Sequence, residues 1–137
     1  MAGWLIKSEP GAWSWDDQVK SGTTHWNGVR NYQATNNLKA MRLGDRAFFY
    51  HSVNERRILG IVEVVREFYP DPDDPAGRFG MVDVRAVCPL ARPVGLDDIK
   101  NDSRLEHLAL VRQSRLSVMP VDDDAWRLIC TLGGITG

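Results

Sequence analysis

At 137 residues, with 43% hydrophobic and 26% charged side chains, the chain reads as one globular domain spanning residues 1–137. That balance excludes a disordered tail, a collagen-like fibre and a disulfide miniprotein. The formal net charge of −1 announces no global basic footprint, and the longest apolar runs, such as Ile58 to Val65, are broken by Gly60 and Glu63, so a membrane is excluded as a partner.

From the N-terminus, Met1 to Ser8 carries one Lys and no long apolar stretch ending in small residues, which reads as no secretory signal. Trp4 to Lys7 reads as a strand ending in the polar turn Ser8-Glu9-Pro10. Ser14 suits a helix N-cap, with Asp16 and Asp17 in the first turn where the helix dipole favours acids, and Gly22 ends that helix. Thr23 to Arg30 is expected as a loop carrying Trp26 and Gly28. Asn31 caps a second helix whose apolar face is Tyr32, Ala34, Leu38 and Met41. Arg46 to His51 and Arg57 to Phe68 form a hairpin across the turn Val53-Asn54-Glu55-Arg56. Pro70 to Gly80 is expected as a surface loop with no packing role. Met81 to Pro89 alternates as a third strand of that meander. Leu96 to Lys100 and Ser103 to Leu110 read as short helices, and Arg115 to Met119 as the last strand. Asp122 caps a closing helix through Trp126, Ile129 and Leu132, ended by Gly133-Gly134. Five or six short strands with small helices predict a compact, barrel-like α+β domain.

Thirteen of the 17 basic residues are Arg, with Lys only at 7, 20, 39 and 100. The guanidinium fork suits phosphate and base edges but equally suits surface ion pairs, so charge alone assigns no partner. Four of the five tryptophans, Trp4, Trp13, Trp15 and Trp26, fall in the first 50 residues, three of them in or beside turns and loops. A loop Trp must pack on something, either the core or a flat ligand, and the sequence admits both. Trp126, on a helical face, reads as core. Polar groups crowd the same turns: Lys7-Ser8-Glu9, Arg30-Asn31-Tyr32, Tyr50-His51-Ser52 and Arg112-Gln113-Ser114-Arg115. In a closed barrel these segments meet at one mouth, where ligand sites commonly lie.

Catalytic readings are weaker. His25, His51 and His107 lack metal-site spacing, and Cys88 and Cys130, without a His cluster, read as reduced core thiols of a cytoplasmic protein, so no metal or cofactor is expected. Ser52 beside His51 is no triad, because a base must approach through space and be oriented by a third group. Gly44 and Gly60 stand alone, so no phosphate loop is visible. Glu9 with Asp16 or Asp17 reads as turn and cap acids before it reads as a catalytic pair.

The sequence resembles the EVE domain family. The match runs from Trp4-Leu5-Ile6-Lys7-Ser8-Glu9-Pro10 and Trp13-Ser14-Trp15-Asp16-Asp17 through Trp26-Asn27-Gly28-Val29-Arg30-Asn31-Tyr32-Gln33-Ala34. It continues in Phe48-Phe49-Tyr50-His51-Ser52, Arg112-Gln113-Ser114-Arg115-Leu116-Ser117-Val118 and the Trp126 helix. The resemblance implies a PUA-like mixed β-barrel of five to six strands with small flanking helices. It also implies a non-enzymatic reader that flips a modified base, chiefly a modified cytosine of DNA, into an aromatic-lined pocket. Carried over by motif, Trp13, Trp15 and Trp26 become wall candidates and Asn31, Tyr32 and Ser52 polar contacts. Ser8, Gln113 and Ser117 complete the floor, and Lys7, Arg30, Arg112 and Arg115 stand at the rim for phosphate. The alternatives are an RNA-binding module for a modified tRNA or rRNA nucleotide, or an enzyme acting on a modified nucleotide. The expected partner is nucleic acid, and the expected state a monomer or weak homodimer. Near-zero net charge implies few phosphate contacts and a shallow salt dependence, a log–log slope of roughly −2 to −4.

Overall fold

A computed structural model describes residues 2–135. The strands are β1 (Gly3–Ser8), β2 (Thr23–Trp26), β3 (Arg46–His51), β4 (Arg57–Pro70), β5 (Gly80–Gly95) and β6 (Val118–Val121). The helices are α1 (Trp15–Ser21), α2 (Tyr32–Ala40), α3 (Leu96–Lys100), α4 (Ala109–Arg112) and α5 (Asp123–Leu132). All six strands form one mixed sheet in the order β2-β5-β4-β3-β1-β6. Only the β1–β3 pair is parallel among them.

β3 sits near the middle of the sheet, and its segment Ala47, Phe48, Phe49, Tyr50 is buried throughout, as a strand covered on both faces requires. On one side Phe48 stacks on Trp126 of α5, ring centroids 3.9 Å apart. Gly3 makes that approach possible: a Cβ there would stand 2.8 Å from the Trp126 ring. On the other side Phe49 meets the edges of Trp15 at 5.3 Å and Trp26 at 5.6 Å.

The expected barrel does not close. β2 and β6 are the two ends of the hydrogen-bonded order, and no ladder joins them. Instead α2 lies between β6 and β5, and Asn37 Nδ2 donates to the Val118 carbonyl at 2.7 Å, which satisfies part of the β6 edge. A helix thus stands in for a missing strand pairing.

Several boundaries depart from the sequence reading. Thr23–Trp26 is a strand rather than loop, because Thr-Thr-His-Trp is β-favouring but too short to show alternation. β5 continues past Pro89 to Gly95; the register shifts around the proline and pairing resumes at Val94 with Ile58. Residues 103–108 are successive tight turns, with Leu105 N bonded to Asp102 O at 2.9 Å and Leu108 N to Leu105 O at 3.1 Å, and only Ala109–Arg112 is helical. The last strand starts at Val118, three residues later than expected.

The helix starts agree with their chemistry. Ser14 accepts from Asp17 N at 3.1 Å while Asp17 returns a bond to Ser14 N at 3.0 Å, a reciprocal capping box on α1. Asn31 and Asp122 cap α2 and α5 through Ala34 N and Ala125 N. The next free donor of α1, Trp15 N–H, is bound by His51 Nε2 at 2.9 Å. His51 must therefore carry its proton on Nδ1, which faces Glu55 Oε2 at 3.2 Å.

Candidate nucleic-acid interface

A cavity of about 700 Å³ opens where the barrel seam is missing. β1 supplies Lys7 and Ser8, β2 supplies Thr24, His25 and Trp26, and Ser117 enters just before β6. The turn before α1 adds Glu9, Ala12 and Trp13, and the loop after β2 adds Asn27 to Arg30. Its size lies within the roughly 300–1,000 Å³ typical of small-molecule sites.

Two indoles wall it. Trp26 is nearly buried and fixed edge-on against Phe49 at 82°. Trp13 is half-buried, and its indole N–H donates to Gln18 Oε1 at 2.9 Å. Gln18, fully buried in α1, in turn donates to Gly22 O at 2.9 Å, so the Trp13 ring is held by the frame of the helix. The Ser8 hydroxyl donates to the Trp13 carbonyl. With its proton committed there, the Ser8 oxygen is left as an acceptor.

Two cations line the same space. Lys7 Nζ donates to Ser114 O at 2.9 Å and stands 5.8 Å from the Tyr50 ring centre, and its burial pulls its pKa below the usual lysine value. Arg30 Nη1 bonds Asp71 Oδ2 at 3.2 Å and Val29 O at 3.1 Å, with 40% of the side chain exposed. Asp71 also accepts from Gly28 N at 3.3 Å, where φ is +78° and glycine is the residue that adopts it without strain. The Asp73 N–H bond, opposed by burial and supported by Gly28 and Arg30, holds the Asp71 carboxyl below its ordinary range. The loop 70–80 therefore does pack, contrary to the sequence expectation: through Asp71 it anchors the cavity-lining loop. A single buried carboxylate was indistinguishable from its acidic neighbours in the sequence.

A second network holds the β2 edge. His25 Nδ1 lies 2.8 Å from Asp83 Oδ1, and the Tyr69 hydroxyl meets both groups. Burial raises the Tyr69 phenol first, and its bond to Asp83 adds to that, to about 12. Burial pushes the Asp83 carboxyl up, but the bonds from His25 and Tyr69 outweigh it and the net shift is downward. His25 and Asp83 are register partners of β2 and β5, so this cluster ties the short strand carrying Trp26 to the sheet.

Of the residues marked in the sequence, Lys7, Ser8, Trp13, Trp26, Arg30 and Ser117 come together around the cavity. Trp15 does not line it: its ring lies against Gly60, where a Cβ would stand 2.4 Å from the indole, and it belongs to the core. Asn31 spends its side chain on the α2 cap, and Tyr32 lies exposed against Phe79. Ser52 touches the site only through its backbone, donating to Ser8 O at 2.9 Å. Gln113 is an exposed C-cap of α4, Arg112 bonds Glu106 O at 2.9 Å, and Arg115 is exposed away from the lining. Thr24, His25, Asn27 and Val29 line the cavity without having been singled out; the strand character of β2, hidden in four residues, was the missing signal.

No helix among the described residues is long and apolar enough to cross a membrane. A family model described as "EVE domain" matches residues 2–132. Thymocyte nuclear protein 1 of Gallus gallus is 36% identical over 168 residues, covering 94% of this chain and 67% of its own length. The NMR structure of Rpa0253 from Rhodopseudomonas palustris superposes with a TM-score of 0.93 at 51% identity, over 98% of this chain and 94% of that one. The crystal structure of human THYN1 protein in complex with DNA containing 5-methylcytosine superposes with a TM-score of 0.90 at 33% identity, covering 100% of both chains.

Proposed function

This chain belongs to the EVE domain family, and from that premise we propose that it is a DNA-binding reader which takes one modified cytosine, extruded from the helix, into the cavity between β1, β2 and β6. The observation that carries this reading is the cavity itself: two indoles, an acceptor at Ser8 and two cations converge on one opening. A relative whose structure holds DNA with 5-methylcytosine supports the choice of ligand.

The energetics follow from those groups. Extrusion costs a few kcal/mol, and stacking on an indole returns about 1–3 kcal/mol per base. Burying one methyl adds only about 0.8 kcal/mol, a factor of about four. Methyl burial alone would also accept thymine, which carries the same methyl group. The Ser8 oxygen offers an acceptor to the exocyclic amine that cytosine has and thymine lacks. Phosphate attraction is weak by construction, since Lys7 is half-buried and Arg30 already shares its charge with Asp71. The site binds and does not transform in this reading: the Ser8 hydroxyl donates to a backbone carbonyl rather than to a base, and His25 Nδ1 faces Asp83 and Tyr69. A DNA ligand implies residence with the chromosome, in the nucleus of a cell that has one and in the cytoplasm of a cell that does not.

The test is equilibrium binding to matched duplexes carrying cytosine, 5-methylcytosine, 5-hydroxymethylcytosine or thymine at one position, with RNA counterparts, at several salt concentrations. A modified DNA cytosine is expected to bind more tightly than cytosine and thymine, with a log–log salt slope near −2 for about two phosphate contacts. Uniform binding with a slope near −8 would overturn the reading and reveal a basic surface elsewhere.

A further inference from the structure

Beside the cavity stands an aromatic ledge that the base pocket does not use. Tyr32, 59% exposed at the start of α2, leans on Phe79 with ring centroids 5.2 Å apart and planes tilted by 35°. The Arg30 guanidinium lies 5.4 Å from the Phe79 ring centre, and Arg30 also lines the cavity, so one residue belongs to both places.

The ledge is built, not incidental. Asp74 accepts from Arg78 N and Phe79 N, each at 2.8 Å, and from Ala76 N at 3.2 Å, which fixes the backbone that presents Phe79. Asp71 locks the other end of that loop to Gly28 and Arg30. Asn31 caps α2 and so fixes the chain between Arg30 and Tyr32. Asp71 and Asp74 are turned onto backbone N–H groups while Asp73 stays exposed, and the exposed Tyr32 ring stands outward beside the part-exposed Phe79 and Arg30. A large, exposed tyrosine on a rigid frame, adjoining a guanidinium, is the chemistry of a stacking platform for a nucleobase with its phosphate alongside.

We propose that the Tyr32–Phe79 ledge is a second nucleotide subsite, which stacks the base adjacent in the same strand to the one held in the cavity. The proposal rests on the reading of the cavity as a base site and extends it from one nucleotide to two. It assigns Tyr32 a role outside the pocket. It also gives the loop 70–80 a function in binding besides its anchoring of Arg30.

The probes are 5-methyl-2′-deoxycytidine, a single-stranded trinucleotide with 5-methylcytosine in the centre, and the same trinucleotide with abasic flanks; an unmodified trinucleotide serves as control. Tyr32→Ala is expected to melt with the wild type, to bind the nucleoside unchanged and to bind the trinucleotide at least about 5-fold more weakly, the lower end of one stacked base. Tyr32→Phe is expected to restore the affinity, and abasic flanks to lower the wild type to the level of Tyr32→Ala. Equal affinity of wild type and Tyr32→Ala for the trinucleotide, or an equal loss on nucleoside and trinucleotide, would overturn the ledge. Equal wild-type affinity for modified and unmodified trinucleotides, with the Tyr32→Ala defect intact, would instead sink the modified-base reading and leave the ledge standing.

Discussion

The five tryptophans divide by what their rings touch. Trp126 is covered by Phe48 and Gly3, Trp15 by Gly60 and Phe49, and Trp4 bonds Asp45 Oδ2 through its indole N–H at 3.1 Å. Trp13 and Trp26 alone line the cavity among the described residues. Trp26 serves two purposes, because its edge packs on Phe49 while the ring borders the opening, so its removal costs fold and site together. Trp13 separates the two effects. Trp13→Ala is expected to weaken binding of a modified-cytosine duplex by about 5- to 100-fold, with a melting loss smaller than that of Trp126→Ala but including the unpaired Gln18 amide. Trp126→Ala is expected to cost about 3–5 kcal/mol of stability and to leave the affinity of the folded fraction unchanged. Calorimetric melting beside fluorescence titration checks both; a Trp13→Ala protein that melts early yet binds like wild type would place Trp13 in the core.

At the scale of elements, the chemistry depends on short pieces held by buried carboxylates. β2 is four residues long and is tied down by Asp83 through His25. The loop after it is tied down by Asp71, and the N-terminal end of β1 by Asp45, which accepts from Ala2 N, Trp4 Nε1 and Arg42 N. Burial raises the Asp45 carboxyl, but the N–H bonds outweigh it, and all three acids end below their ordinary value. A depressed carboxylate contributes stability above its unfolded pKa of about 4 and loses it as pH falls through the folded value. Stability is therefore expected to be insensitive to these groups near pH 7 and to drop below about pH 4. Asp71→Asn is expected to remove up to one bound proton from the acid-side slope in urea unfolding between pH 5 and pH 2. It should also weaken DNA binding at pH 7 by loosening Gly28 and Arg30. An unchanged slope would show that Asp71 is not ionised against those partners.

Over the whole molecule, the β1, β3 and β4 strands, the α1, α2 and α5 caps and the Trp126 core were legible because each rests on local chemistry: alternation, a capping side chain, an apolar stripe. The α+β class with six strands was legible as well, but the strand order and the open edge were not, since sheet closure depends on which edges meet, and α2 rather than a strand covers the β6 edge. The same long-range fact divided the site residues. Lys7, Ser8 and Ser117 converge because Lys7 N bonds Ser117 O at 2.9 Å across 110 positions of sequence, whereas Gln113 and Arg115, a few residues away, lie outside the lining. Motif words mark neighbourhoods in the chain; the open seam decides which of their members face the cavity.

In the proposed mode of binding, a modified base leaves the duplex and enters the seam between Trp13 and Trp26. Nuclear magnetic resonance of a duplex carrying 5-methylcytosine with an isotope-labelled methyl group follows that base itself. Binding is expected to move the methyl resonance away from its stacked-in-helix position under the shielding of the indole rings, and Trp13→Ala to reduce this displacement. A saturated complex in which the methyl resonance keeps its duplex position would rule out extrusion into the seam.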